Sequence, residues 1–224
     1  MNKIVIVIGA TGLVGKELVK QLLQEPNVNT VRLFVRRKSG FEHPKIEEHI
    51  IDFDKPSTWK HLVTGDVLCS TLGTTLKQAG SKPAQYKVDY TYQFLFAQAA
   101  AENGVPTFVL VSSAGANASS SIFYSKMKGE LDEAVQKLSF TSCVILRPSI
   151  LVGERENKRA AEEFANKIMK FISRFIFRKY RPIEGKIVAR AMINTSIHQP
   201  RPGVLIAELD EIFGLAEMKQ NLLP

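Results

Sequence analysis

Short unbroken apolar runs alternate along this chain with longer stretches whose apolar residues recur every three or four positions. Ile4-Val5-Ile6-Val7-Ile8 is the first such run. Five consecutive apolar β-formers read as a strand buried on both faces. The pattern predicts strands at Lys3–Ile8, Thr30–Val35, Glu48–Ile51, Asp66–Ser70, Thr107–Ser112 and Ser142–Leu146. It predicts helices at Leu13–Gln24, Thr58–Leu62, Pro83–Asn103, Tyr124–Lys137 and Ala160–Phe177. Strands alternating with helices imply an α/β fold, a doubly wound parallel sheet. Past Gly153 the alternation weakens. The expectation is one domain over residues 1–224, with a core over about 1–155 and a small substrate-side cap and return segment over about 156–224.

In such a sheet, ligands bind beyond the carboxyl ends of the strands. The residues following each strand are therefore the informative ones. After the first come Gly9-Ala10-Thr11-Gly12-Leu13-Val14-Gly15, three glycines at steps of three between a strand and a helix. This is where a dinucleotide pyrophosphate sits, held by backbone N–H groups and the helix dipole. A tight turn with no ligand is the plainer alternative.

Arg36-Arg37-Lys38 follow the second strand. An NAD site would place an acid here for the ribose 2′-hydroxyl; three cations suit a 2′-phosphate, so NADP(H) is favoured over NAD(H). Asp52 and Phe53 follow the third strand. They can serve the adenine, or Asp52 can serve the helix start before Pro56. Leu72, Gly73 and Thr74, after the fourth, let the backbone approach the cofactor.

Ser112-Ser113 close the fifth strand, and Tyr124 and Lys128 follow on the next helix. Positions i and i+4 share a helix face, so phenol and ammonium can meet. An ammonium beside a phenol favours loss of its proton, which lets Tyr124 exchange a proton with a substrate oxygen. Ser113 can hydrogen-bond the same oxygen. Of the five tyrosines, only Tyr124 has a lysine four residues on.

The Gly9/Gly12/Gly15 turn, Asp52, Val111-Ser112-Ser113, Tyr124/Lys128 and Leu146-Arg147-Pro148-Ser149 together resemble a short-chain dehydrogenase/reductase of the extended or atypical kind. Phe34–Lys38, Leu72–Thr75, Ser112–Ala116, the Tyr124–Lys128–Gly129–Glu130 run and Val188–Met192 look like the Tat-interacting-protein branch, often labelled nucleoside-diphosphate-sugar epimerase-like. The resemblance implies a Rossmann fold, NADP(H) binding and a Ser113–Tyr124–Lys128 site. It also implies that Pro148, Ser149 and Ile150 run beside the nicotinamide.

The leading functional expectation is an NADP(H)-dependent oxidoreductase acting on a carbonyl or alcohol. A dinucleotide-sensing protein with little turnover is the second. Sugar-nucleotide epimerisation is the third, disfavoured by Arg36/Arg37 and by a C-terminal portion shorter than that of true epimerases.

The net charge is +8, and Lys158–Arg190 holds ten Lys/Arg against three Glu. That localisation argues against a chain-wide nucleic-acid surface. Phe164, Ile168, Phe171, Ile172, Phe175 and Ile176 give this segment one apolar helical face, read as core packing, an anionic-substrate entrance or a membrane-surface helix. No run approaches a membrane span. The two cysteines, Cys69 and Cys143, look like buried hydrophobes of a reduced compartment. With no leader-like segment, the expected location is the cytoplasm. No metal is expected, and the partners are a small-molecule substrate and a possible second copy of the chain.

Overall fold

A computed structural model describes residues 2–153 and 180–218. Seven parallel strands form the sheet: β1 (Lys3–Ile8), β2 (Val28–Val35), β3 (Ile46–Ile50), β4 (Val67–Ser70), β5 (Thr107–Val111), β6 (Ser142–Arg147) and β9 (Gly203–Glu208). Their order is β3-β2-β1-β4-β5-β6-β9. The chain turns outward from β1 to β2 and β3, then returns to lay β4 on the other side of β1. This reversal opens a crevice above the β1 and β4 carboxyl ends.

The strand β1 is continuously apolar because both its faces are covered. Val5 and Val7 face a core with Leu18, Val19 and Leu22 of α1 (Leu13–Gln24). Ile6 and Ile8 face the other layer, with Trp59 of α2 (Pro56–Trp59) and Phe96. There Trp59 and Phe96 stack with ring centroids 4.0 Å apart.

The helix expected at Pro83–Asn103 is shaped by a wide turn. Following the short α3 (Leu76–Ala79), α4 (Lys82–Tyr86) runs into a π-helical stretch at Lys87–Thr91, where Tyr92 N–H reaches back to the Lys87 carbonyl, and then into α5 (Tyr92–Glu102). Helix α6 (Phe123–Val135) carries Tyr124 and Lys128.

After β6, the two-residue strands β7 (Leu151–Val152) and β8 (Ile183–Glu184) pair in parallel. Helix α7 (Gly185–Ile193) then packs on α1, β9 extends the main sheet beside β6, and α8 (Glu211–Glu217) closes the same layer. The segments at Arg181–Ile183 and Ile187–Met192 thus return to the body of the domain. The expected helix at Ala160–Phe177 lies outside the described residues.

Candidate functional site

The glycine turn is set by strand–helix packing. Gly9 has φ +83°, and a Cβ there would lie 2.5 Å from the Thr71 carbonyl carbon. A Cβ on Gly15 would overlap the Gly9 carbonyl oxygen and sit 2.8 Å from Thr71 Oγ1. Both glycines let α1 and the β4 loop close on β1, with or without a ligand. Gly12 differs: it is exposed, it is the N-cap of α1, and no side chain caps that helix. Its nearest obstacle is the Gly9 carbonyl at 3.2 Å. An uncapped twelve-residue helix pointing its first N–H groups at the crevice fits a diphosphate. Thr11 is exposed beside it, whereas the Val14 side chain is buried. Leu13 is wedged between Gly153 and Gly185, so it offers a ligand its backbone.

Arg36, Arg37 and Lys38 are exposed at the carboxyl end of β2, and none has an acidic partner among the described residues. They fit a phosphate group on the ribose. Asp52 is committed locally: its carboxylate accepts Asp54 N–H at 3.0 Å and lies 3.3 Å from Lys55 Nζ. The carboxylate thus closes the turn before α2 and does not cap that helix, whose N-cap Lys55 makes no side-chain capping hydrogen bond. The Phe53 ring is buried against Tyr92 and Phe96, with centroids 5.2 and 5.4 Å away, so its backbone is what an adenine could meet.

Lys128 is the best-defined side chain of the site. Its ammonium is buried and lies 3.1 Å from Asp89 Oδ1. The other carboxylate oxygen accepts Thr74 N–H at 3.0 Å. Gln85 Nε2 donates to the Thr74 carbonyl at 3.2 Å, Gln93 Nε2 to the Asp89 carbonyl at 2.7 Å, and Ser70 Oγ to Gln93 Oε1 at 2.7 Å. The lysine is therefore wired to the loop that follows β4. Burial opposes its charge, but electrostatic coupling to Tyr124, Asp89 and Asp132 outweighs burial and holds its pKa above the ordinary lysine value. Behind it, Asp132 binds Arg147 Nε at 2.8 Å, and burial pushes the Asp132 carboxyl up.

Tyr124 is 40% exposed. With Thr74 and Gln85 it borders an open cavity of about 430 Å³. Ser113 stands just past β5, and among the described residues its hydroxyl makes only a long 3.4 Å contact to the Ala114 carbonyl. Among the described residues, Ser113 and Tyr124 do not hydrogen-bond each other. The Pro148–Ile150 loop is fixed from both sides: the Pro148 carbonyl accepts Ala114 N–H, the Ile150 carbonyl accepts Ile183 N–H, and Ser149 Oγ donates to the Arg181 carbonyl. Leu72 and Gly73 occupy the β4 loop between Thr71 and the Asp89-bound Thr74.

Asp89 was absent from the sequence reading. Its signal was a polar stripe, Gln85, Asp89 and Gln93 at steps of four, continuous with the buried apolar face of Phe96, Ala97 and Ala100. The π-helical stretch holds Asp89 on that face, as such insertions often do at functional sites.

The NAD(P)H-binding family matches residues 9–175. The chain belongs to this family. Among curated relatives, protein FMP52 of Eremothecium gossypii is 32% identical over 96% of this chain and 98% of its own length. The FMP52 protein of Candida albicans is 41% identical over 67% of this chain and 68% of its own. Solved structures share the fold at low identity. A short-chain dehydrogenase/reductase superfamily protein from Agrobacterium tumefaciens with bound NAD has a TM-score of 0.70 at 15% identity, covering 92% of this chain and 77% of that one. Thermotoga maritima UDP-glucose 4-epimerase with UDP-glucose has a TM-score of 0.67 at 12% identity, covering 96% and 81%. The NAD(P)H-binding family and the doubly wound fold are thus shown.

The expected cytoplasmic location is corrected. The FMP52 relatives are named as mitochondrial proteins, in Candida albicans, Eremothecium gossypii, Coccidioides immitis and Saccharomyces cerevisiae alike. The expectation rested on the lack of a leader-like segment and on the two cysteines, and buried thiols carry no compartment signal. Both are buried free thiols in sheet strands, pushed up by burial to about 12 for Cys69 and about 11 for Cys143. Among the described residues, no helix is long and apolar enough to cross a membrane.

Proposed function

We propose that this protein is a mitochondrial NADP(H)-dependent oxidoreductase that interconverts a carbonyl compound and its alcohol. The observation carrying this reading is the buried Lys128 ammonium, held by Asp89 and coupled electrostatically to Tyr124, whose phenol opens on a cavity. A family whose members bind NAD(P)H supports the cofactor half. The dinucleotide supplies or takes up the hydride.

The protein's part is placement and a proton. The uncapped start of α1 would hold the diphosphate, and Arg36 and Arg37 the 2′-phosphate. Asp52 and the Phe53 backbone would lie toward the adenine; Leu72, Gly73, Thr74 and the Pro148–Ile150 loop would flank the nicotinamide side. Tyr124 donates a proton to the carbonyl oxygen in reduction and takes it back in oxidation. Lys128, one helical turn beyond Tyr124 and fixed through Asp89 and Thr74, keeps the phenol in register with the cofactor loop. Ser113 supplies a second hydrogen bond to the substrate oxygen.

The test is turnover of an aldehyde and ketone panel with NADPH by wild type and Tyr124→Phe. Loss of the proton donor is expected to lower kcat by about 10²–10⁴-fold. Undiminished turnover would remove Tyr124 from this role. Tight NADPH binding with no turnover of any carbonyl would instead favour a dinucleotide sensor.

A further inference from the structure

The cavity beside Tyr124 joins an apolar wall to a cation. Its wall is apolar: Leu76, Ile122 and Phe123 line it together with the Tyr124 ring. Leu76 is 47% exposed and Ile122 65%. Three of the seven large hydrophobic residues exposed in the described structure, Leu76, Ile122 and Tyr124, border this one cavity. Apolar surface gathered at one concave place marks a binding site more than scattered exposure does.

The cation is Lys82. Lys82 lines the same cavity, and its ammonium rests 5.5 Å from the centre of the Phe123 ring. Nearby, Lys87 pairs with Asp54, Lys126 with Glu130 and Lys128 with Asp89, whereas Lys77 on α3 has no acidic partner among the described residues and does not line the cavity. Lys82 has no acidic partner among the described residues, and no acidic side chain lines the cavity. An ammonium parked on a half-buried aromatic ring is readily drawn to a carboxylate, which it binds by charge-assisted hydrogen bonds.

From this arrangement we infer that the site takes an amphipathic carbonyl compound: an alkyl body along Leu76, Ile122 and Phe123, the carbonyl at Tyr124, and a carboxylate at the far end on Lys82. The carbonyl end rests on the oxidoreductase reading above. The alkyl and carboxylate ends do not, since they concern binding alone. A polar nucleotide-sugar would leave this apolar wall without a partner.

Two measurements separate the inference from that reading. Octanal and 8-oxooctanoate, aldehydes of equal length without and with a terminal carboxylate, are compared as substrates with NADPH. Octanoate, which cannot be reduced at an aldehyde, is titrated calorimetrically as a binding probe. The oxo acid is expected to exceed octanal in kcat/KM by about 10–100-fold, the worth of one charge-assisted contact. Lys82→Met should bring that ratio to about one and weaken octanoate binding by a similar factor; Ile122→Ser should weaken octanoate binding independently. Equal turnover of both aldehydes, insensitive to Lys82→Met, would overturn the inference and leave the oxidoreductase reading standing. Octanoate binding that depends on Lys82, with neither aldehyde reduced, would uphold the binding site and count against the reductase chemistry. Octanoate binding that is absent or indifferent to both substitutions would overturn the inference.

Discussion

A cation buried as deeply as the Lys128 ammonium persists only beside a counter-charge, because desolvation alone would strip its proton. Asp89 is that counter-charge, 3.1 Å away and itself buried. Asp89→Asn is therefore expected to cost about 3–5 kcal/mol of stability at neutral pH, the usual penalty for orphaning one member of a buried pair; urea denaturation measures it. The sign of the pH dependence follows. Lys128 has a folded pKa above its free value, so its contribution is whole below about pH 10.4 and is lost as pH rises through the folded value. The gap between wild type and Asp89→Asn should accordingly narrow in strongly alkaline solution; a gap that widens there would contradict the pairing. On the other flank of the crevice, Arg36 and Arg37 are exposed and have no acidic partner among the described residues. Replacing both with serine should weaken NADP(H) binding by about 10–100-fold, as loss of charge-assisted contacts does, and leave NAD(H) affinity nearly unchanged. Fluorescence titration with the two reduced cofactors checks this.

Elements with an uninterrupted buried face were the most legible from sequence, and those facing solvent or carrying an irregular turn the least. Helix α1 was expected at Leu13–Gln24 and forms at those residues, because Val14, Leu18, Val19 and Leu22 make one uninterrupted buried stripe. The strand β9 was missed. It is an edge strand whose exposed face, Val204 and Ile206, is as apolar as its inner residues Leu205 and Ala207, so the sequence Gly203–Glu208 carries no polar alternation to read. Asp89 escaped for a related reason. A polar stripe at helical spacing looks solvated until the partner lysine, 39 residues on, is known to lie beneath it. Helix α7 was foreseen as a returning segment, but its seat on the glycine turn was not. Gly185 opens α7, and a Cβ there would lie 2.6 Å from Leu13 Cδ2 and 2.9 Å from the Leu13 carbonyl oxygen. The Leu13 side chain can rotate aside; its carbonyl is fixed in the turn. Gly185→Ala is thus expected to lower stability by about 1–3 kcal/mol, as overpacking does, and to weaken dinucleotide binding because the strain falls on the phosphate-facing turn. A fall in melting temperature with cofactor affinity fully preserved would show that α7 and the turn are independent.

For the whole molecule, the decisive feature is that the proposed cofactor site spans the sheet's point of reversal. The turn after β1, the cations after β2 and the loop after β4 lie on three strands that are neighbours in the sheet but distant in sequence. Unfolding scatters them, so a dinucleotide has a site only on the native chain, and binding must appear as stability. NADPH at 100 times its dissociation constant should add about 2.7 kcal/mol. For a chain of this size, that corresponds to a rise in melting temperature of about 5–11 °C. A tenfold weaker NADH at the same concentration should give a rise smaller by about 1.4 kcal/mol, or about 3–6 °C. In Arg36→Ser/Arg37→Ser the two cofactors should converge on the smaller value, since only the 2′-phosphate distinguishes them and only those cations would read it. Equal shifts for NADPH and NADH in wild type would place the reading of the ribose elsewhere, with Asp52 after β3 the first acid to examine. No shift with either cofactor would refute binding at the crevice altogether.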